Sequence, residues 1–590
     1  MEHKVQRLLR KLTGRLSEKS VMVVLSIVVG TLCGLAAVLL KLAISGMHSV
    51  LEPVIARHNL LFFVVPGIGM FLAMLFVRYV VKDNIGHGVT KVLVAVSKNE
   101  SNIKAHNMWS SILASSVTIG LGGSVGAEAP IVYTGAAIGS NVARYLGLSH
   151  KDMTLLLGCG AAAAVAGIFN APLAGVLFTL EILMFNISMT SILPLMMATV
   201  SATVMSYVCL GQNVSFECTL TGFEMRNLVF YVMLGAFSGL VSVYFTRTTL
   251  WLEDMIKKMR NKFVRWGVSA LCLGLLIFLF PPLFGEGYES VHVLLNGGRL
   301  DLEGRTVLDF MAEKPWLVPC FFGLVMLLKV FSMSFTNAGG GVGGTFGPTL
   351  VVGAFAGFIL SRSLNLMLSG SPVTLPEANF VLVGMAGLMA GVMQAPMTAI
   401  FLIAEISGGY ALLLPLILTS CISFWMTRYY EKYSIYTKRI ANNGELLTHD
   451  SDQAVLTLLK VTDLIETGFS HVSIDSTLGQ LVEAVSQSNR NTYPVLDSRN
   501  RFQGYVSLED IRADMFKKEC YDTLHVYNYM RSTPAYVYEN EKMDSVMAKF
   551  EQSNAWLLPV VKEDRTYLGF VSKSKIFSSY RDRLKEVSQE

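Results

Sequence analysis

The strongest constraint on this chain is that its apolar text repeats. AGIFNAPLAGVLFTLEI, Ala166 to Ile182, returns as AGVMQAPMTAIFLIAEI, Ala390 to Ile406, with Ala, Gly, Ala-Pro and Glu-Ile in register. A second pair, PIVYTGAAIG from Pro130 and PTLVVGAFAG from Pro348, shares P-x4-G-A-x2-G at nearly the same offset of about 220 residues. Chance similarity of apolar text rarely keeps both register and offset, so this part of the chain reads as two copies of one unit.

The solvent of that unit follows from composition. Of 590 residues, 52% are hydrophobic and 15% charged, against roughly a quarter charged in soluble domains, and the mean hydropathy is +0.49. Runs such as VMVVLSIVVGTLCGLAAVLL and VSALCLGLLIFLF lie before Arg428, whereas charged residues and short alternating segments follow it. The pattern predicts a polytopic membrane domain and then a soluble tail. Lys4, Arg7, Arg10, Lys11, Arg15 and Lys19, interleaved with leucines, predict a basic amphipathic helix over 1–19 at the membrane surface. Its charge places the N-terminus in the cytoplasm. A net charge of +5 is modest for this length and gives no argument for nucleic acid. The eight cysteines form no CxxC or Cys/His cluster, which argues against structural zinc or a redox site. HExxH, GxSxG and P-loop patterns are missing, so nothing points to an enzyme.

Many apolar segments are shorter than the roughly 20 residues a spanning helix needs. NIGHGV, GGSVGAEAP and AGGGVGGTFGP are poor helix interiors, and each precedes an apolar helical run. Each therefore supplies a helix N-terminus, whose free N–H groups and positive dipole end attract anions. A single break of this kind is read as close helix packing; three together point to an anion site between repeated halves. Within GAEAPIVYTGAAIG the one ionisable group is Glu128, and an intramembrane carboxylate is costly and usually functional.

The tail repeats too. NTYPVLDSRNRFQGYVSLEDI, 491–511, matches WLLPVVKEDRTYLGFVSKSKI, 556–576, each reading as strand, charged turn, strand and helix start. These are small α/β units in tandem.

On these residues the membrane half resembles the CLC chloride channel and transporter family, and the tail resembles a pair of CBS domains. The three CLC anion-pathway motifs correspond to GHGVT (Gly86–Thr90), GAEAP (Gly126–Pro130) and GTFGP (Gly344–Pro348), and the family's pore tyrosine to Tyr436 in YSIYTKR. The resemblance implies an all-α polytopic membrane domain with inverted repeats and broken helices, plus a small cytoplasmic α/β tandem CBS domain. The expected divisions are a transport domain at 20–437 with repeats at about 20–211 and 226–428, a linker at 438–460, and CBS units at 461–515 and 525–582. It further implies a homodimer in the lipid bilayer, one pore per subunit, carrying chloride and, if coupled, protons. A bacterial inner membrane with both termini cytoplasmic is the expected location.

By position, the amides of Ala127, Glu128 and Ala129 would face the outer anion path. Those of Thr345 and Phe346, with the Tyr436 hydroxyl, would line the central site, and Glu128 would be the gate. Tyr436 can also be read as an interfacial anchor. No cofactor is required; the CBS pair implies an adenine nucleotide (ATP, ADP or AMP), with Ser507 and Asp510 the matching residues of the first unit and Lys575 at the Asp position of the second.

Three departures stand out. His87 replaces the family's serine, and an imidazole there would bind the anion in a pH-dependent way, unless its ring turns away and leaves the work to the backbone. Ala127 and Ala129 replace a basic residue and a glycine, which weakens anion attraction at the outer mouth. Ile182 stands where proton-coupled members carry an internal glutamate; Glu181 beside it and its repeat partner Glu405 read as structural helix-end residues, and Lys329 as structural. The expectation leans to a passive channel, with a Cl⁻/H⁺ antiporter using another proton route as the alternative. A CBS-regulated cation channel would need several pore acids, and a nucleotide sensor without transport would need no broken helices.

Overall fold

The computed structural model describes residues 18–55, 60–98, 101–183, 189–211, 216, 222–296, 314, 316–368, 374–442 and 459–579. The expected basic helix at 1–19 lies almost wholly outside them, as does most of the linker. The chain divides into two compact units, Met1–Leu446 and Leu447–Glu590.

The first unit is helical. Its first half comprises α1 (Glu18–Ile55), α2 (Leu61–Leu75), α3 (Gly88–Lys98), α4 (Ser110–Gly120), α5 (Glu128–Tyr145), α6 (His150–Phe169), α7 (Pro172–Glu181) and α8 (Met189–Leu210). The second contains α9 (Leu228–Lys257), α10 (Lys262–Leu279), α11 (Tyr288–Leu295), α12 (Val318–Ala338), α13 (Phe346–Met367), α14 (Glu377–Met393), α15 (Pro396–Ile406), α16 (Leu413–Tyr430) and α17 (Ile435–Asn442). Among the described residues, eight helices are long and apolar enough to cross a membrane, and α3, α4, α7, α14 and α15 are shorter apolar helices. The packing repeats: α5 lies on α6 as α13 lies on α14, and α1 on α8 as α9 on α16.

The repeated glycines explain the closeness of the first pairing. A Cβ on Gly135 would sit 2.2 Å from the Gly160 carbonyl oxygen, and one on Gly353 would sit 2.5 Å from that of Gly384. In lipid, helices associate through such small-residue contacts, since apolar faces have little to gain from leaving lipid for protein. The two P-x4-G-A-x2-G motifs are therefore the same helix crossing built twice.

The second unit carries two three-stranded sheets of identical topology. The first contains β1 (Val472–Ser473), β2 (Thr492–Leu496) and β3 (Phe502–Ser507); the second contains β4 (Val537–Tyr538), β5 (Leu557–Val561) and β6 (Tyr567–Ser572). In each, the outer short strand pairs parallel and the hairpin antiparallel, with a register irregularity at the same place, Val495/Leu496 and Val560/Val561. Phe469, Leu496, Phe502, Val561 and Phe570 form one buried cluster drawn from both copies, as expected of units too small to bury a core alone.

Candidate functional site

The three glycine-rich breaks lead directly into α3, α5 and α13, and these N-termini meet. Gly126 and Gly344 exchange backbone hydrogen bonds, N to O at 3.0 Å one way and 2.7 Å the other. A Cβ on Gly88 would lie 2.2 Å from the Ala129 carbonyl oxygen. Each half thus contributes the start of a helix to a shared centre, where unsatisfied N–H groups concentrate.

Glu128 sits at that centre, 3% exposed, in the first turn of α5. Its Oε2 accepts from the Gly347 amide at 3.1 Å, in the first turn of α13. Its Oε1 accepts from the Tyr288 hydroxyl at 2.6 Å. Ala127, Ala129, Thr345 and Phe346 are all buried around it, and the Phe346 ring packs on Phe169 and Phe178 at centroid distances of 5.5 and 6.2 Å. The Tyr436 hydroxyl and the Thr345 Oγ1 are buried neighbours, and among the described residues neither makes a hydrogen bond of normal geometry. Unpartnered buried hydroxyls are costly, so this pair is a ready polar contact for a ligand.

Two expected ligands are engaged otherwise. The Ala127 amide donates to Glu286 Oε1 at 2.9 Å. His87, held in the left-handed region (φ 57°), points its Nε2 at Glu253 Oε2, 3.6 Å away. Glu253 is itself buried and accepts from Arg439 at 2.6 Å, with Lys257 at 3.8 Å. The imidazole therefore faces an ion-pair cluster on α9 and α17.

Glu286 and Tyr288 are functional-site residues that the sequence reading missed; the signal for them is weaker than for Glu128, because the Gly-rich FGEGYES carries two carboxylates, Glu286 and Glu289, rather than one. Lys329, fully buried on α12, donates to Ser124 Oγ at 2.8 Å, Gly285 O at 2.9 Å and Leu283 O at 3.4 Å. Lys329 is thus structural: it ties the Glu286 loop to the Gly-rich break before α5.

In the second unit, Ser507 caps a one-turn helix, and Asp510 Oδ2 accepts from the Ser507 amide at 3.2 Å. Arg531 holds Asp510 Oδ1 in an ion pair. Both carboxylate oxygens are committed, so these residues do not fit a ribose grip without displacement of Arg531.

Paired helical halves, broken helices and N-termini converging on a buried carboxylate define an inverted-repeat membrane protein of transporter type. The voltage gated chloride channel family model matches residues 69–428, and the CBS domain model matches 461–516 and 526–582. The chain belongs to the CLC family and carries a tandem CBS pair. It is 30% identical over 339 residues to "Chloride channel protein CLC-e" of Arabidopsis thaliana, a match covering 53% of this chain and 46% of the plant protein. It is 29% identical over 318 residues to "H(+)/Cl(-) exchange transporter ClcA" of Vibrio cholerae, covering 51% of this chain and 62% of that one. Both matches span less than two thirds of the relative. A solved eukaryotic CLC transporter shares the fold over 97% of this chain and 98% of its own, at a TM-score of 0.61 and 16% identity.

Proposed function

We propose that the protein moves chloride across a membrane through a pathway in each subunit of a homodimer, gated by Glu128. The observation that carries this reading is the bridge from Glu128 Oε2 to the Gly347 amide. The carboxylate at the start of one broken helix occupies a donor at the start of the other, where an anion would bind. Protonation removes the charge that holds it, and a chloride ion then takes over the amides and continues toward the Thr345 and Tyr436 hydroxyls. No metal or full positive charge is needed, because helix dipoles and N–H groups supply the attraction.

Passive conduction is the favoured mode: Ile182, buried just past the end of α7, leaves no acid at the position where coupled members hold one. A second reading, Cl⁻/H⁺ exchange, draws on Glu253, a buried carboxylate that approaches His87 from a different helix. The reversal potential under combined chloride and pH gradients tests the choice. Independence from the proton gradient is expected; a shift with it would replace the channel by the exchanger. Failure of any chloride flux in proteoliposomes would overturn both.

A further inference from the structure

Glu286 comes from a turn whose flanking glycines, Gly285 (φ 58°) and Gly287 (φ 97°), are both left-handed. This backbone is accessible to glycine at little cost. It sends the carboxylate to the Ala127 amide, at the N-cap position of α5, at 2.9 Å. Two residues on, Tyr288 donates to Glu128 at 2.6 Å. One short arm thus fills a donor of the helix start and latches the carboxylate beside it. Lys329 anchors the arm through the Gly285 and Leu283 carbonyl oxygens. Lys41, which lines the same cavity, and Lys329 bring two basic side chains toward this second buried carboxyl group. Lys41, Glu128, Glu286 and Tyr288 line one cavity of about 790 Å³.

We propose that Glu286 is a second tethered carboxylate of the gate, holding the Ala127 amide against the anion as Glu128 holds that of Gly347. This rests on the gating role of Glu128. Access to the outer amides then requires release of both carboxylates, and removal of Glu128 alone leaves one donor blocked. The charged and titratable groups facing Glu286 are Glu128 from α5, Lys41 and His48 from α1, Lys329 from α12, and Tyr288, Glu289 and His292 beyond its own turn.

The test measures chloride efflux from proteoliposomes across pH and chloride binding by calorimetry. It uses the full chain as wild type, Glu128→Ala, Glu286→Ala, Glu286→Gln and the double Glu128→Ala/Glu286→Ala. Glu128→Ala is expected to raise efflux yet keep residual activation by acid. The double variant should raise efflux at neutral pH at least about fivefold further, lose that activation and bind one more chloride. Glu286→Gln keeps an acceptor for Ala127 without the charge and is expected to match Glu286→Ala; it also carries the comparison if the alanine variant does not fold. If Glu128→Ala leaves efflux and its pH profile as in wild type, the gate reading itself fails. If Glu128→Ala opens the pathway but the double variant equals it in flux, stoichiometry and pH profile, Glu286 is only structural and the proposal is overturned. Wild-type chloride binding by Glu286→Gln would equally rule out a competing charge.

Discussion

Glu181 and Glu405 exchange helix caps across the two halves. Glu181 accepts from the Met397 and Thr398 amides at 3.0 and 2.7 Å, and Glu405 from those of Leu173 and Ala174 at 3.0 and 2.9 Å. Each carboxylate ends one short helix and closes the first turn of the other, where the dipole favours negative charge. Glu181→Ala would leave two amides unpaired and is expected to cost about 2–3 kcal/mol. A fall in melting temperature in detergent, with flux per folded protein unchanged, checks this. An unchanged melting temperature would contradict the cap.

Glu128→Gln removes the charge while nearly preserving the shape of the side chain. Chloride efflux should rise about tenfold near neutral pH, the effect of removing ~1.4 kcal/mol of competition, and its dependence on acid should weaken. In the wild type, efflux should increase as pH falls, because protonation is what frees the Gly347 amide. Efflux traces from proteoliposomes at several pH values decide the point, and a slower variant would contradict the gate.

Tyr436→Phe deletes a hydroxyl that makes no hydrogen bond of normal geometry among the described residues. The fold should therefore keep its stability, while chloride affinity falls about fivefold, the loss of ~1 kcal/mol for one hydrogen bond. Calorimetric titration and a melting curve on the same sample separate the two effects. Unaltered affinity would return Tyr436 to a packing role.

Asp510, engaged by Arg531 and by its own helix cap, predicts that ATP, ADP and AMP bind the full protein no tighter than millimolar. Calorimetry measures this directly. Micromolar binding by the wild type would mean that Arg531 gives way.

Burial pushes the Glu541 carboxyl up, but Lys549, Ser545 and the Tyr538 amide outweigh it and hold the group below its ordinary value. The stabilisation is therefore present above the unfolded value near pH 4 and is lost as pH falls through the lower folded value. Glu541→Gln should destabilise the second unit at pH 7 by no more than about 1 kcal/mol, since solvent screens a partly exposed ion pair. The difference from wild type should vanish in acid, as followed by thermal unfolding across pH; a constant difference down to pH 2 would contradict the linkage.

The repeats, the glycine breaks and the tandem tail were legible because each is a local pattern. A-P-x-x and P-x4-G-A-x2-G record a helix start and a crossing that depend on a few neighbouring residues. Glu128 was legible as a lone charge in apolar text, and Glu286 could have been found as one of the two carboxylates of Gly-rich FGEGYES. Its partner could not. The Ala127 amide and the Glu286 carboxylate are 159 residues apart, and the fold alone decides which donor a buried carboxylate reaches. His87 makes the same point, since only the packing of α9 and α17 around it turns its ring toward Glu253.

By itself, then, the sequence determined the apolar, membrane-crossing character of the first unit, the duplication, the places where helices break and the family. These follow from composition and from short-range sterics that act wherever the chain goes. Tertiary structure decided who holds whom at the centre. Helix starts from two distant halves were brought face to face, and a loop carboxylate, anchored by Lys329, was laid on the Ala127 amide. Such pairings are settled by geometry over long chain separations, because a buried charge must take whichever donors the packed helices present.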